Sequence, residues 1–263
     1  MTHPGPVAAP TIEASALREA IGRNLHEKIA NALGVAIVSG EHKPGSALPT
    51  EMELCARLSV SRSALREAFK LLAAKRLIVS RQKVGTLVRL RAEWNMLDPE
   101  VLAWHLRAIP TDAFVSGLFE VRQIIEPQAA ALAAERRTPL AVARIEQALR
   151  DMEQRQDGLG DLANADLRFH QGILDATGNY FLASFGAVIE SSLMASFQLS
   201  WHGAAHTPDY ALAQHHGVLT AIRHGRVDEA HAVMTQLLRS AGEDVRESLA
   251  RRRQRGAQAE GAA

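Results

Sequence analysis

One stretch, Pro44 to Thr86, constrains this chain more than any other: PGSALPTEMELCARLSVSRSALREAFKLLAAKRLIVSRQKVGT. At its centre is SRSALREAFKLL, Ser61 to Leu72, in which Leu65, Phe69 and Leu72 recur at i, i+4 and i+7. That spacing puts the three on one helical face as a core stripe. Arg62, Ser63, Arg66 and Lys70 fall outside the stripe, with Arg62 and Arg66 one turn apart. A helix that anchors on one side and offers arginines on another can enter a DNA major groove, where arginine pairs with guanine O6/N7 or holds phosphates.

The flanking residues sharpen this. Pro44 and Gly45 end a preceding helix, and Leu48-Pro49 keeps the connection extended. Thr50 and Glu53 form a Thr-x-x-Glu capping box, opening a short helix whose Leu54 and Leu58 are expected to face inward. A brief turn at Ser59-Val60 leads to Ser61, an N-cap residue for the next helix. Two short helices joined by a tight turn make a helix-turn-helix. Beyond Lys75, the runs Leu77-Ile78-Val79 and Thr86-Leu87-Val88 flank Gln82–Gly85 and predict a small hairpin, the wing.

In their order and spacing, PGSALPTE, LSVSRSALREAFKLL, AKRLI and the VGT wing resemble the GntR-type winged-helix transcription regulators of bacteria. The resemblance covers about the first third of the chain. It implies DNA contacts from Arg62 and Arg66 in the groove, with Ser61, Ser63, Lys83, Gly85 and Thr86 on backbone or minor groove. Two positions depart from the pattern. Met52 stands where the family often has an arginine, and Lys83 replaces the first glycine of a Gly-x-Gly wing.

The charge distribution agrees. From Ala16 to Ala92 there are 14 Lys+Arg against 6 Asp+Glu, a net of +8, which leaves −7 for the rest of a chain whose total is +1. A basic domain joined to an acidic one confines nucleic-acid binding to the first. The single cysteine, Cys55, excludes an internal disulfide framework and reads as a buried structural thiol in a reducing compartment. No apolar run approaches the ~18 residues of a membrane span, and the N-terminus lacks a signal-peptide pattern, so a soluble cytoplasmic protein is expected.

Residues 1–15 are Pro/Ala-rich and expected to be disordered. A helix through Leu25, Ile29, Leu33 and Ile37 backs the helix-turn-helix, and the DNA-binding domain spans 16–92. A linker, 93–110, holds a short helix opened by Asp98-Pro99, with Trp94, Leu97, Leu102 and Trp104 as packing residues. Beyond Pro110 the pattern is helical, with helices expected at about 111–136, 139–157, 161–176, 179–201, 208–224 and 227–250. The tail, 251–263, reads as flexible and basic. The fold class is therefore mainly α: a winged helix-turn-helix followed by an all-helical bundle of about six or seven helices.

Asp166 and His170 are i, i+4 and project from one helix face, a spacing at which a carboxylate and an imidazole either share a divalent cation or simply pair at a surface. Arg122 reads on its own as a surface arginine paired with Glu126. LFEVRQIIEPQAAALAAERRT, NADLRFHQGILDATGNYFL and QHHGVLTAIRHGRVDEAHAVM resemble the FCD effector-binding domain of one GntR branch, over 111–250. That resemblance implies a metal held by Asp166, His170 and His215, with Leu237 where a fourth ligand usually stands, so water or the effector closes the site. It also implies that Arg122 faces the effector's carboxylate. His216 points about 100° from His215, and His202, His206 and His231 read as surface residues.

Taken together, the resemblance implies a homodimeric repressor on a pseudo-palindromic DNA operator, released by a small carboxylate or sugar-acid effector. The linker WNMLDPEVLAWHL resembles repressors of aldonate catabolism, which makes galactonate the first candidate. Zinc suits the imidazoles, with magnesium, manganese or nickel open. The rivals are the same regulator class responding to lactate or another small carboxylate, a metal-dependent enzyme built on the helical domain, and a non-specific DNA-packaging protein. The enzyme lacks a visible general base or nucleophile motif and leaves the basic winged helix unexplained.

Overall fold

The structure, a computed structural model, describes residues 14–108, 111–154, 159–200 and 209–260. The chain divides into two compact units after Met96.

In the first unit α1 (Ala14–Ser39) buries Ile29, Leu33 and Ile37 and ends at Gly40, whose φ of +90° is the left-handed stop glycine provides. Leu25, expected on the same stripe, is 39% exposed. α2 (Glu51–Leu58) opens on the Thr50/Glu53 capping box, both halves formed, and closes at Ser59 in the left-handed region. It buries Leu54 but leaves Leu58 exposed, because α2 is short and meets its neighbours along one narrow line. Cys55 is only half-buried.

α3 (Arg62–Ala74) is capped by Ser61, whose hydroxyl accepts from Ala64 N–H, and it buries Leu65, Ala68, Phe69 and Leu72. β1 (Ile78–Arg81) and β2 (Gly85–Val88) pair antiparallel, Ile78 opposite Val88 and Arg81 opposite Gly85. Residues 45–48 pair with the outer side of β2: Gly45 N–H and Leu48 N–H donate to the carbonyls of Val88 and Thr86, and Val88 N–H donates to Ser46. The PGSALP segment is therefore also the strap that fixes the wing. A 3-10 turn (Arg91–Glu93) follows. Trp94 is then buried, with its indole N–H donating to the Arg89 carbonyl.

The second unit begins with α4 (Pro99–Arg107), capped by Asp98, and buries Leu102 and Trp104; Leu97, expected to pack, is 57% exposed. Next come α5 (Asp112–Arg136), α6 (Pro139–Gln154) and α7 (Leu159–Ala176). Where one helix was expected over 179–201, there are two, α8 (Tyr180–Ala183) and α9 (Gly186–Ser200). Asn179 caps α8, and the chain breaks at Ser184-Phe185. α10 (Asp209–His224) and α11 (Val227–Glu260) complete the unit. α11 runs to Glu260, so Arg251–Arg253 are helical where a flexible end was expected from 251. The stretch 202–208, read as a break, lies outside the described residues.

One core runs through α5, α6, α7, α9, α10 and α11, with Ile145, Leu149, Phe169, Ile173, Ile222, Met234 and Leu238 fully or almost fully enclosed. At Gly172 a Cβ would lie 3.1 Å from Ile145 Cγ1, so glycine is what lets α6 close on α7. Among the described residues no helix is long and apolar enough to cross a membrane.

Candidate functional site

The first unit presents α3 and the wing to solvent. Ser61, Arg62, Ser63 and Arg66 are all exposed, as are Lys83 and Gly85, with Thr86 half-buried. Ser61 and Ser63 share a hydroxyl contact of 3.0 Å. Arg66 Nε donates to Glu51 on α2 at 3.0 Å, an exposed pair worth no more than about 1 kcal/mol, so it does not hold the guanidinium against a stronger partner. At the wing's tip Lys83 has a φ of +63° and Gly85 one of +98°. Glycine takes such a conformation freely, but for a lysine it costs roughly 1–2 kcal/mol.

The second unit holds a partly open cavity of about 130 Å³, with Arg122, Asp166, His170, His215 and Leu237 among its lining. α7 supplies Asp166 and His170 one turn apart, α10 supplies His215, and α5 supplies Arg122. The Nε2 atoms of both histidines lie 3.2 Å from Asp166 Oδ1. One ligand atom from each of the three residues falls within 4.8 Å of the others.

Behind them sits Glu126, with Arg122 and His170 all but fully enclosed. Its Oε1 accepts from Arg122 Nε and its Oε2 faces His170 Nδ1, both at 2.5 Å. Burial pushes the Glu126 carboxyl up, but the Arg122 and His170 charges outweigh it and hold the pKa at about 2. Burial likewise pushes His170 down, and Glu126's charge, opposed by Arg122, raises it to about 9, with hydrogen bonds to Asp166 and Glu126 helping. Asp166 is held well below the usual carboxylate range: burial opposes this, and its hydrogen bonds to the two histidines prevail.

These donors fit a divalent cation. His170 gives Nδ1–H to a carboxylate, which orients Nε2 inward, as outer partners of metal-bound histidines do. His215 Nδ1 is 2.6 Å from the Ala211 carbonyl; a carbonyl only accepts, so Nδ1 carries hydrogen and Nε2 is the nitrogen turned to Asp166. Leu237, where a fourth ligand was sought, does line the cavity but offers no donor atom.

Arg122 is not the surface arginine that its spacing alone suggested. It pairs with Glu126 at i+4, yet it is buried and lines the cavity. Nε is taken by Glu126, Nη1 donates to Ser192 Oγ at 3.3 Å, and Nη2 lies 3.3 Å from His170 Nε2. Of its five N–H donors, one on each terminal nitrogen is therefore left for a ligand. His216 points away and pairs with Glu153, and His231 is exposed. His202 and His206 lie outside the described residues. Sequence reasoning saw Glu126 only as a surface partner; its signal was a carboxylate on the apolar, Ala-rich side of α5.

Two family models match: "Bacterial regulatory proteins, gntR family" over residues 25–88, and "FCD domain" over 117–240. The galactonate operon transcriptional repressor of Escherichia coli (strain K12) is 35% identical over 224 residues, 85% of this chain and 98% of that one. The chain belongs to the GntR family of transcription regulators. Within that family it carries the FCD domain, and its matched domains and relatives are regulators rather than enzymes. The putative L-lactate dehydrogenase operon regulatory protein of Escherichia coli (strain K12) is 29% identical over 81% of this chain and 83% of its own length. Among solved structures, the Lar regulator of Listeria monocytogenes shares the fold of this GntR regulator, with a TM-score of 0.62 at 17% identity, over 85% of this chain and 97% of that one. GntR regulators bind DNA operators and small-molecule effectors; in this chain the exposed α3 face and the cavity lie in separate units.

Proposed function

We propose that this regulator is a homodimeric repressor whose α3 enters the major groove of a pseudo-palindromic operator and which a sugar acid releases. Arg62 and Arg66 read the groove, while Ser61, Ser63, Lys83, Gly85 and Thr86 hold backbone or minor groove. A dimer doubles the bases read and matches its own twofold axis to the operator's.

The observation that carries the effector half is the trio of half-buried Asp166 with buried His170 and His215, beside an arginine with donors to spare, all on one small cavity. In this reading the trio holds a divalent cation, zinc first, with magnesium, manganese or nickel able to replace it. The cation supplies open coordination positions for ligand oxygens. Arg122 holds the carboxylate of a 2-hydroxy acid, with galactonate the first candidate, as the 35% identical relative suggests. The ligand relieves repression only by favouring a dimer geometry that no longer fits the operator. Lactate is the second candidate, suggested by the relative named for a lactate dehydrogenase operon.

Calorimetry of galactonate against metal-stripped protein, reloaded protein and His170→Ala tests the pocket. Affinity only in the reloaded wild type is expected; equal affinity in all three removes the cation. For the DNA face, Arg62→Ala and Arg66→Ala are each expected to cost ~1–3 kcal/mol of operator binding. Unchanged binding in both overturns the docking, and tighter operator binding in the presence of ligand reverses the sign of control.

A further inference from the structure

We propose that Ser196, Gln214 and Ser240 read the hydroxyl chain of the effector and select a polyhydroxy acid over a short 2-hydroxy acid. This rests on the Arg122 cavity being the effector site. All three residues line that cavity, from α9, α10 and α11 respectively. They account for what a sugar acid would meet beyond the carboxylate and its neighbouring hydroxyl.

Their hydrogen bonds leave Ser196 an acceptor and Ser240 a donor, and leave Gln214 both its Oε1 acceptor and one Nε2 hydrogen. Ser196 Oγ donates to the Ser192 carbonyl at 2.9 Å, so its hydrogen is committed and its lone pairs remain. Ser240 Oγ accepts from Gln214 Nε2 at 3.2 Å and from Gln236 Nε2 at 3.4 Å, so both its lone pairs are engaged and its O–H remains. Gln214 Oε1 has no protein partner among the described residues and remains an acceptor. The three residues thus offer two acceptors and two donors, set among Phe119, Leu193 and Val245, with Asp244 on the same lining. A ligand hydroxyl both donates and accepts, so a row of hydroxyls satisfies such a wall in either direction; a methyl group satisfies none of it and leaves these half-buried polar groups unpaired.

Position supports the same assignment. Gln214 precedes His215 on α10, and Ser240 stands one turn beyond Leu237 on α11. Ser196 is one turn from Ser192, which touches Arg122. The three therefore surround the Arg122 and cation end rather than occupying it.

Calorimetry of galactonate and of L-lactate on the metal-loaded full chain, with Ser196→Ala, Gln214→Met and Ser240→Ala, tests this. Each variant is expected to weaken galactonate about tenfold and to leave lactate within about twofold. Metal stoichiometry should stay at the wild-type value in all three. Ser240→Ala removes one atom and decides the matter if Gln214→Met fails to fold. Equal loss for both acids, or no loss for galactonate, overturns the assignment while leaving the effector site intact. Wild-type protein that binds neither acid overturns the site reading and this assignment with it.

Discussion

Replacing Glu126 with glutamine changes almost nothing in shape and nearly everything in electrostatics. Glu126 is 2% exposed, and its two oxygens take Arg122 Nε and His170 Nδ1 separately. An amide has one oxygen, so if that oxygen keeps Arg122 Nε, its NH2 faces His170 Nδ1, and the imidazole must give up its Nδ1 hydrogen to accept it. Arg122, itself 2% exposed, would also lose its only acidic partner among the described residues. Removing one member of a buried pair costs about 3–5 kcal/mol, because the other charge stays behind. For a domain of this size that corresponds to a melting temperature lower by roughly 6–20 °C. Melting in the presence of chelator, which takes any cation out of the comparison, measures it. Pairing Glu126→Gln with Arg122→Met removes both charges and should recover most of the loss. A single variant within about 1 kcal/mol of wild type, or a double variant no better than the single, would refute the reasoning.

Four further outcomes follow from the same structure. With chelator present, the stability His170 gains from its carboxylate partners is complete below pH 6.5 and lost as pH rises through about 9, while Glu126's share is complete above pH 4.5 and lost as pH falls through about 2. A cation must displace the His170 proton, so its affinity should rise about tenfold per pH unit from roughly pH 6.5 to 8.5; a flat profile by competition titration would count against it. Lys83→Gly should relieve the strained tip by up to about 1 kcal/mol yet lower the salt slope of operator binding by about one, and a loss of stability would contradict the first half. Leu237→His should raise divalent-cation affinity roughly tenfold or more; unchanged affinity would show that its side chain does not reach the trio.

The DNA-binding half was legible because its signals are local. A Thr-x-x-Glu cap, a serine N-cap and a 3.6-residue stripe each act within a turn or two, and the capping box and the buried Leu65, Phe69 and Leu72 follow them. Where an outcome depended on distant packing, sequence fell short: Leu25, Leu58 and Leu97 are apolar residues that found no complete cover. The break at Ser184-Phe185 was hidden for the same reason, since a lone glycine after it, Gly186, is a weak mark inside an apolar helical pattern. In the cavity, i, i+4 spacing joined Asp166 to His170, but only the family resemblance reached His215. Glu126 escaped because its role is fixed by α7 packing across α5, which no spacing within α5 records.

Because one carboxylate serves both Arg122 and His170, the interior of this pocket changes by inheritance only as a block. A lineage that lost Arg122 first would keep a buried anion, and one that lost Glu126 first would keep a buried cation; either intermediate is destabilised before any new ligand can favour it. The hydroxyl-bearing residues around the rim carry no such mutual dependence. Descendants of this protein should therefore diversify in which acid they sense by drifting at the rim, while the charged interior stays frozen.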